Sequence, residues 1–182
     1  MRKLDFLKIA VKDYKTVGAV FSSSKHAVKA VAKQLKPEYK YIVEYGAGSG
    51  VITKEILNKI STNGRVVAIE LNKSLFKKLS EIKDKRLLVL NEDVVKVSKK
   101  LGKLGLPKID AIVSGIPFSF LKSAVRKEVL KNTQKGISEG GRFIAYQTSL
   151  LTFSYMKKLF KKVRSRFELR NMPPYFIIVG DK

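Results

Sequence analysis

From Tyr41 onward, the chain alternates between short runs of Val, Ile and Leu and longer segments whose apolar residues have helical spacing. Runs this short predict strands rather than buried helices. Their unbroken apolar character is typical of parallel strands that are covered on both faces. The five candidate strands are Tyr41–Tyr45, Arg65–Glu70, Arg86–Leu90, Ile109–Ser114 and Arg142–Gln147. This alternation predicts an α/β fold with a doubly wound sheet and right-handed crossovers.

The segments between and after these strands complete the predicted architecture. Helices are predicted at Val51–Ile60, Lys73–Ile82, Val94–Lys103, Phe120–Ile137 and Leu151–Val163. Two further strands, Arg166–Arg170 and Tyr175–Gly180, are joined by only four residues, which predicts an antiparallel pair. The sheet therefore has seven strands, is mostly parallel and carries helices on both faces.

The N-terminal part of the chain has a different character. Leu4, Leu7, Val11 and Tyr14 have helical spacing, and a second helix is predicted near Lys25–Leu35. We therefore divide the chain into an N-terminal amphipathic helical extension, residues 1–37, and an α/β domain, residues 38–182.

The charge of the chain limits its partners. It carries 38 Lys and Arg against 15 Asp and Glu, a net charge of +23. Such a surface attracts polyanions, either nucleic acid or the anionic face of a membrane. A Lys-rich composition without a specific polyanionic partner is the alternative.

Other compositional features exclude several kinds of site. The chain has no Cys and one His, so disulfides, Cys nucleophiles and multi-His metal sites are excluded, and no metal is predicted. No run approaches the roughly 18 apolar residues that span a bilayer, and Lys and Asp interrupt the first 15 residues, unlike a secretory signal. We expect a cytoplasmic, monomeric protein that associates peripherally with membranes.

A glycine-rich turn, Glu44–Gly50, ends the first predicted strand and opens the first helix of the α/β domain. Glycines there allow a tight turn and close approach of the backbone to a ligand. Glu70 ends the next strand and can accept both ribose hydroxyls of a nucleoside, while Asp93, after the third strand, can bond an adenine amino group. A dinucleotide would favour GxGxxG, whereas the Glu44 carboxylate suits the cationic S-adenosylmethionine. A glycine turn without any ligand is the alternative.

Glu44–Gly50, Glu70 and Asp93 together resemble the first three motifs of the class I S-adenosylmethionine-dependent methyltransferases, which have a Rossmann-like fold. The resemblance runs from Tyr41 to the C-terminus. It implies that the glycine loop holds the methionine part, the second acid the ribose and the third the adenine. The implied cofactor-binding residues are Glu44, Gly46, Ala47, Gly48, Gly50, Glu70, Leu71, Asp93, Val94 and Ser114.

The fourth predicted strand ends in Ser114–Phe118, Ser-Gly-Ile-Pro-Phe, which resembles the acceptor loop of amino-nitrogen methyltransferases. An attacking amine needs acceptors for its hydrogens so that its lone pair can point at the methyl carbon. The Ser114 hydroxyl and the Gly115 and Ile116 carbonyls can supply them, and Pro117 stiffens the turn. An ordinary Gly-Pro turn is the alternative.

Three further side chains near this site have two interpretations each. Phe118 can lie beside a sulfonium or substrate cation, or in the core. Tyr146 and His26 can assist proton removal, although a core tyrosine and a solvated helix histidine are equally ordinary. The predicted catalytic residues are Ser114, Gly115, Ile116, Pro117, Phe118 and Tyr146.

Scattered matches indicate which nitrogen is methylated. The N-terminal segment Phe6–Ser24, which contains Val17–Ser24, resembles the start of bacterial phospholipid N-methyltransferases, and Ser114–Pro117 and Pro173–Phe176 resemble later segments of that family. The resemblance implies phosphatidylethanolamine as substrate at an anionic membrane surface. Residues 1–37 carry nine Lys or Arg and two Asp around an apolar helix face, as interfacial helices do. The predicted substrate or membrane residues are Phe6, Lys8, Lys12, Tyr14, Phe21 and Ser23, and a helix at Met156–Arg166 would add a second basic patch.

Two alternatives remain open. An RNA adenine N6-methyltransferase of the ribosomal dimethylase type shares the glycine motif, and the net charge suits RNA. Those enzymes carry a helical C-terminal RNA domain, which we do not expect after the last predicted strand, and their loop favours Asn where this chain has Ser114. The second alternative is a non-catalytic lipid- or RNA-binding protein on a methyltransferase scaffold.

Overall fold

In the computed structural model, which describes residues 24–182, the strands form one sheet in the order β3-β2-β1-β4-β5-β7-β6. β1 to β5 are parallel, whereas β7 runs antiparallel between β5 and β6. The strands are β1 Tyr41–Tyr45, β2 Arg65–Ile69, β3 Leu87–Leu90, β4 Ala111–Ser114, β5 Arg142–Gln147, β6 Lys162–Glu168 and β7 Tyr175–Asp181. The predicted seven-stranded, mostly parallel α/β fold is confirmed.

The helices connect these strands in the expected alternation. They are α1 Lys25–Ala32, α2 Val51–Lys59, α3 Lys73–Ser80, α4 Val94–Val97, α5 Ser123–Gly136 and α6 Phe153–Met156, with 3-10 helices at Ser98–Lys103 and Phe118–Phe120. None of the helices within residues 24–182 is long and apolar enough to cross a bilayer.

The core lies on both faces of the sheet because the central strands are buried on both sides. On one face Ile42, Val113 and Ile144 pack with Ala27 and Val31 of α1. On the other face, residues of the same strands pack with α5. The described part of the predicted N-terminal extension therefore shares the core of the α/β domain, and the predicted division at residue 37 remains a prediction.

The loops that form the candidate site lie at one edge of the sheet. We call the edge at which β1 to β5 end the carboxyl edge. β1 lies between β2 and β4, so the crossovers after β1 and β4 leave in opposite directions and open a crevice there. Phe176 of β7 pairs with Gln147, the last residue of β5, so the turn between β6 and β7 lies at this edge too.

Three sequence predictions need correction. The helix predicted at Leu151–Val163 reduces to α6, and β6 begins at Lys162, four residues before the predicted strand. The basic residues predicted on a helix at Met156–Arg166 lie partly on an edge strand, where charged side chains protect unpaired backbone. The helix predicted from Phe120 begins at Ser123, after a 3-10 turn.

The predicted helix at Val94–Lys103 is split. It consists of α4 and a 3-10 segment with a kink at Lys100 (φ −129°). The helix near Lys25–Leu35 is confirmed as α1, and the Ser24 hydroxyl accepts a hydrogen bond from the Ala27 N–H at 3.1 Å. The predicted membrane residues Phe6, Lys8, Lys12, Tyr14, Phe21 and Ser23 lie outside the described residues.

Candidate active site

The glycine loop, residues 46–50, needs glycine for its backbone. Gly46, Gly48 and Gly50 have φ of 68°, 61° and 86°, the left-handed region that side chains disfavour. A Cβ at Gly46 would lie 2.8 Å from the Ile116 side chain, so the glycine loop touches the loop after β4. Around Gly48 nothing lies within 4 Å of that position, which leaves the loop open on this side.

Glu70 ties the glycine loop to the end of β2. Its carboxylate accepts hydrogen bonds from the Gly48 N–H and the Asn72 N–H, each at 2.8 Å. Burial raises the pKa of the Glu70 carboxyl, against the opposing effect of these N–H donors. Each oxygen keeps a second lone pair, so the predicted role toward ribose hydroxyls remains open to this residue while it shapes the loop.

Glu44 is buried at the end of β1 with one oxygen unpaired. Oε2 accepts the Thr53 hydroxyl at 2.6 Å, but Oε1 has no partner among the described residues. Burial raises the pKa of this carboxyl to about 8. A buried acceptor without a donor is unfavourable, and a cationic ligand group would satisfy it. The residue therefore fits the cationic part of S-adenosylmethionine, and Thr53, which sequence analysis missed, holds its orientation.

The end of β3 completes the cofactor side. Asp93 caps α4, its Oδ1 accepting the Val95 N–H at 2.8 Å. Asn91, which the sequence did not single out, donates through Nδ2 to the carbonyls of Glu70 (2.8 Å) and Leu71 (3.1 Å). These bonds bring the ends of β2 and β3 together, so Glu70, Leu71 and Asp93 lie along one stretch of the carboxyl edge, as predicted.

The acceptor loop, Ser114–Phe118, begins with a buried hydroxyl. Ser114 is fully buried and its Oγ has no partner within the described part of the chain. A Cβ at Gly115 would overlap the Tyr146 hydroxyl, so only glycine fits between Ser114 and that ring. The loop therefore brings Ser114, Gly115, Ile116 and Tyr146 together against the glycine loop.

Phe118 lies in the core. Its ring is fully buried and meets Phe143 edge-on, with centroids 6.2 Å apart. The suggestion that it lies beside a bound cation is not met, because its surroundings are apolar side chains. The exposed aromatic ring near this loop is Phe120, which is 49% exposed. His26 is exposed on α1, as an ordinary helix residue.

Gln147 is a candidate that sequence analysis missed. Its Nε2 donates to the Ser149 carbonyl (2.6 Å) and the Thr152 hydroxyl (3.0 Å), which leaves Oε1 buried without a partner. Ser114 pairs with Ala145, and side chains alternate along a strand, so Gln147 lies on the same face as Ser114. Two unpaired acceptors therefore lie at the ends of neighbouring strands. The sequence signal that could have indicated Gln147 is an amide side chain at the end of an apolar strand.

Comparison with known families gives one match over more than half of the chain. The family model described as ribosomal RNA adenine dimethylase matches residues 12–117. This stretch contains the glycine loop, Glu70, Asp93 and the acceptor loop up to Pro117.

Curated relatives differ in the share of their length that is matched. An ornithine lipid N-methyltransferase of Singulisphaera acidiphila is 27% identical over 140 residues, 74% of this chain and 72% of the relative. A ribosomal RNA small subunit methyltransferase A of Blochmanniella pennsylvanica is 27% identical over 115 residues, 58% of this chain but 42% of the relative.

Solved structures agree on the fold. Precorrin-6y C5,15-methyltransferase from Geobacter metallireducens superimposes with a TM-score of 0.68 at 16% identity, covering 90% of this chain and 96% of its own. At this identity the similarity concerns the fold alone, which is that of class I methyltransferases.

Proposed function

The chain belongs to the ribosomal RNA adenine dimethylase family, and we propose that, as a member of this family, it methylates the amine head group of a membrane lipid of the phosphatidylethanolamine type. It is an S-adenosylmethionine-dependent N-methyltransferase. The cofactor, when bound, supplies an electrophilic methyl group on a sulfonium. The residues that would hold it are Glu44, the glycine loop, Glu70 and Asp93.

The observation that carries the proposal is the pair of buried acceptors without partners, Ser114 Oγ and Gln147 Oε1. A neutral primary amine has two N–H donors and one lone pair. If each acceptor takes one N–H, the lone pair is left free for attack, and the buried setting keeps competing water away. The amine must first lose a proton, because a free alkylammonium has a pKa near 10, like that of Lys.

The placement of Phe118 supports an amine rather than a nucleobase. A base lifted out of RNA is commonly held by stacking on aromatic side chains. Phe118 packs against Phe143 in the core and presents no open face for stacking. A small amine needs no such platform.

The curated relative matched over the larger share of its length also bears a lipid substrate in its name. The ornithine lipid enzyme is matched over 72% of its length, the ribosomal RNA enzyme over 42%. Ornithine lipid and phosphatidylethanolamine both present an amine at a membrane surface, so they share the chemistry that the two acceptors would recognise.

Methylation of adenine N6 in RNA is the second candidate, and Phe120 is the observation that favours it. Its ring is 49% exposed beside the acceptor loop, where a base could stack. The net charge of +23 would attract RNA as well.

A methyl-transfer assay with each candidate acceptor in turn tests these proposals. Radiolabelled S-adenosylmethionine is supplied with vesicles containing phosphatidylethanolamine, with vesicles containing ornithine lipid, or with ribosomal RNA. We expect label in the amine lipid. Label found only in RNA would overturn the proposal, and cofactor binding by calorimetry without any label would favour a non-catalytic scaffold.

The variant Phe120→Ala sharpens this assay. If the acceptor is a lipid amine, removal of the ring leaves the rate of methyl transfer at a saturating vesicle concentration within about twofold, since a single exposed side chain contributes little to fold stability. If the acceptor is a base that stacks on Phe120, loss of stacking, worth about 1–3 kcal/mol per base, lowers transfer to RNA roughly tenfold or more.

A further inference from the structure

Exposed apolar side chains gather at the carboxyl edge. Phe120 follows β4, Leu150 and Leu151 follow β5, and Leu169 and Met172 lie in the turn between β6 and β7. Leu88, another large exposed apolar side chain, lies in the middle of β3, which is the edge strand on the other side of the sheet from β6. Three adjacent loops thus present apolar side chains on the side where the acceptor loop lies.

The hairpin tip, residues 169–174, projects beyond this edge. Glu168 pairs with Tyr175 one position past the pair of Gln147 and Phe176, so the tip begins where β5 has already ended. Leu169 is 70% exposed and Met172 83% exposed. Side chains of this size are seldom held in water without a partner surface when they are clustered.

The charge around the tip is positive. Residues 166–174 contain two arginines, Arg166 and Arg170, and one acidic residue, Glu168. Glu168 is buried and its carboxylate forms an ion pair with Arg170 at 2.7 Å, so it offsets the charge of that arginine and leaves Arg166 unopposed by it. Arg166 is exposed on the same edge strand. The tip is therefore apolar with a basic border.

The predicted amphipathic segment joins the described chain at the same place. The N–H of Ser24, the first described residue, donates to Asn171 Oδ1 at 2.8 Å. Asn171 is buried and donates through Nδ2 to the Pro173 carbonyl at 2.7 Å, which orients the tip. The N-terminal basic segment is thus joined to the described chain at Ser24, next to Asn171 of the hairpin tip.

We infer that the hairpin tip docks on an anionic bilayer, with Leu169 and Met172 entering the interface while Arg166 lies at the level of the phosphates. This inference rests on the proposed lipid acceptor, since docking at this edge turns the acceptor loop toward the membrane. An RNA backbone would pair with Arg166 but would leave both apolar side chains in water, whereas a bilayer accommodates both features.

The absence of Trp from the chain provides a clean probe of this contact. Met172→Trp places a single indole at the tip, and Leu88→Trp places one at a half-exposed site at the other end of the sheet. With vesicles of phosphatidylcholine and phosphatidylglycerol, we expect a blue shift and quenching by brominated lipid for residue 172 and neither for residue 88. Bound protein whose residue 172 probe stays in water would overturn the inference.

A charge substitution tests the energetic role of the tip. Met172→Asp should weaken binding to the same vesicles by about tenfold or more, from lost apolar burial and added repulsion. Leu88→Asp makes the same change in net charge at an exposed site away from the proposed docking surface and should shift binding only about two- to threefold. Equal loss in both variants would overturn the inference, as would a probe that responds to RNA and not to vesicles.

The outcomes separate docking from catalysis. Insertion of the residue 172 probe without methyl transfer to any lipid would refute the proposed function and leave the docking surface standing. Methyl transfer to lipid without insertion of the probe would refute the docking surface and leave the proposed function standing. Thermal unfolding of each variant in the absence of vesicles checks that the hairpin substitutions leave the fold intact.

Discussion

The two halves of the carboxyl edge differ in how their polar groups are satisfied. On the side of β2 and β3, the chain itself pairs them: Glu70 accepts two backbone N–H groups and Asp93 caps α4. On the side of β4 and β5, Ser114 Oγ and Gln147 Oε1 are buried without partners. A preformed cofactor site thus adjoins a site that is completed only by what binds there. The following changes test this difference, beginning with the largest expected effect.

Glu70→Ala should impair S-adenosylmethionine binding at least about a hundredfold, because it removes the hydrogen bonds from the Gly48 N–H of the glycine loop and from the Asn72 N–H, each worth about 1.5–3 kcal/mol. Calorimetric titration measures the Kd. Glu70→Gln, which retains acceptor capacity, should lose less. Unchanged affinity in the Ala variant would contradict the cofactor assignment.

Removal of Met1–Tyr14 should weaken binding to anionic vesicles about thirtyfold while the Kd for S-adenosylmethionine stays the same. The segment carries two more basic than acidic residues, and each such charge contributes about 1 kcal/mol near an anionic leaflet. Vesicle sedimentation measures the change. Equal binding by the truncated protein would count against a membrane role of this segment.

Ser114→Ala and Gln147→Leu should each lower kcat about five- to tenfold, since each removes one acceptor for the amine, worth about 1–1.5 kcal/mol. Because the cofactor half is built separately, the Kd for S-adenosylmethionine should remain within about twofold in both. Loss of cofactor binding in either variant would show that the halves are not independent. Gln147→Glu serves as the control, as it retains an acceptor at this position.

Cofactor affinity should rise with pH, by at most about tenfold per unit, and level off near pH 8. The pKa of Glu44 is about 8, so below that pH the carboxyl is mostly protonated, and a bound cation that favours the carboxylate makes it release a proton. Glu44→Gln should flatten this dependence. Calorimetry in buffers of different ionisation enthalpy measures the proton release.

The same carboxyl makes the stability of the cofactor-free protein depend on pH. Its folded pKa is raised above the ordinary 4.5, so folding favours the neutral form. Stability from this group is full below pH 4.5 and declines as the pH rises toward 8. Glu44→Gln should remove this decline in thermal unfolding, and a decline that persists would assign it to another group.

Much of the cofactor half was predictable from sequence because its signals are local. β1 begins and ends at the predicted residues, and β2 lacks only Glu70 of its predicted range; outside this half, β5 also matches its predicted bounds. Each signal depends on a short apolar run followed by glycine or an acid, which neighbouring residues specify. The roles of Thr53 and Asn91 were not predicted, because a hydroxyl inside a helix and an amide after a strand indicate no function until their hydrogen-bond partners are known.

β6 shows why the rest was not predictable. Lys162–Glu168 carries three basic residues, and its apolar spacing suits a helix as well as a strand. What makes it a strand is its antiparallel pairing with β7, in which Phe167 meets Phe176 with ring centroids 4.7 Å apart. A partner at a distance in sequence outweighed local preference.

By itself, the sequence determined the order of strands and helices along the chain, the glycine loop and the acids at or just after the ends of β1, β2 and β3, because periodicity and turn chemistry act over a few residues. Only the tertiary structure decided that Phe118 belongs to the core, that Ser114 and Gln147 lie on one face, and that Ser24 meets Asn171. These facts depend on which distant strands become neighbours, and packing of the whole chain makes that choice.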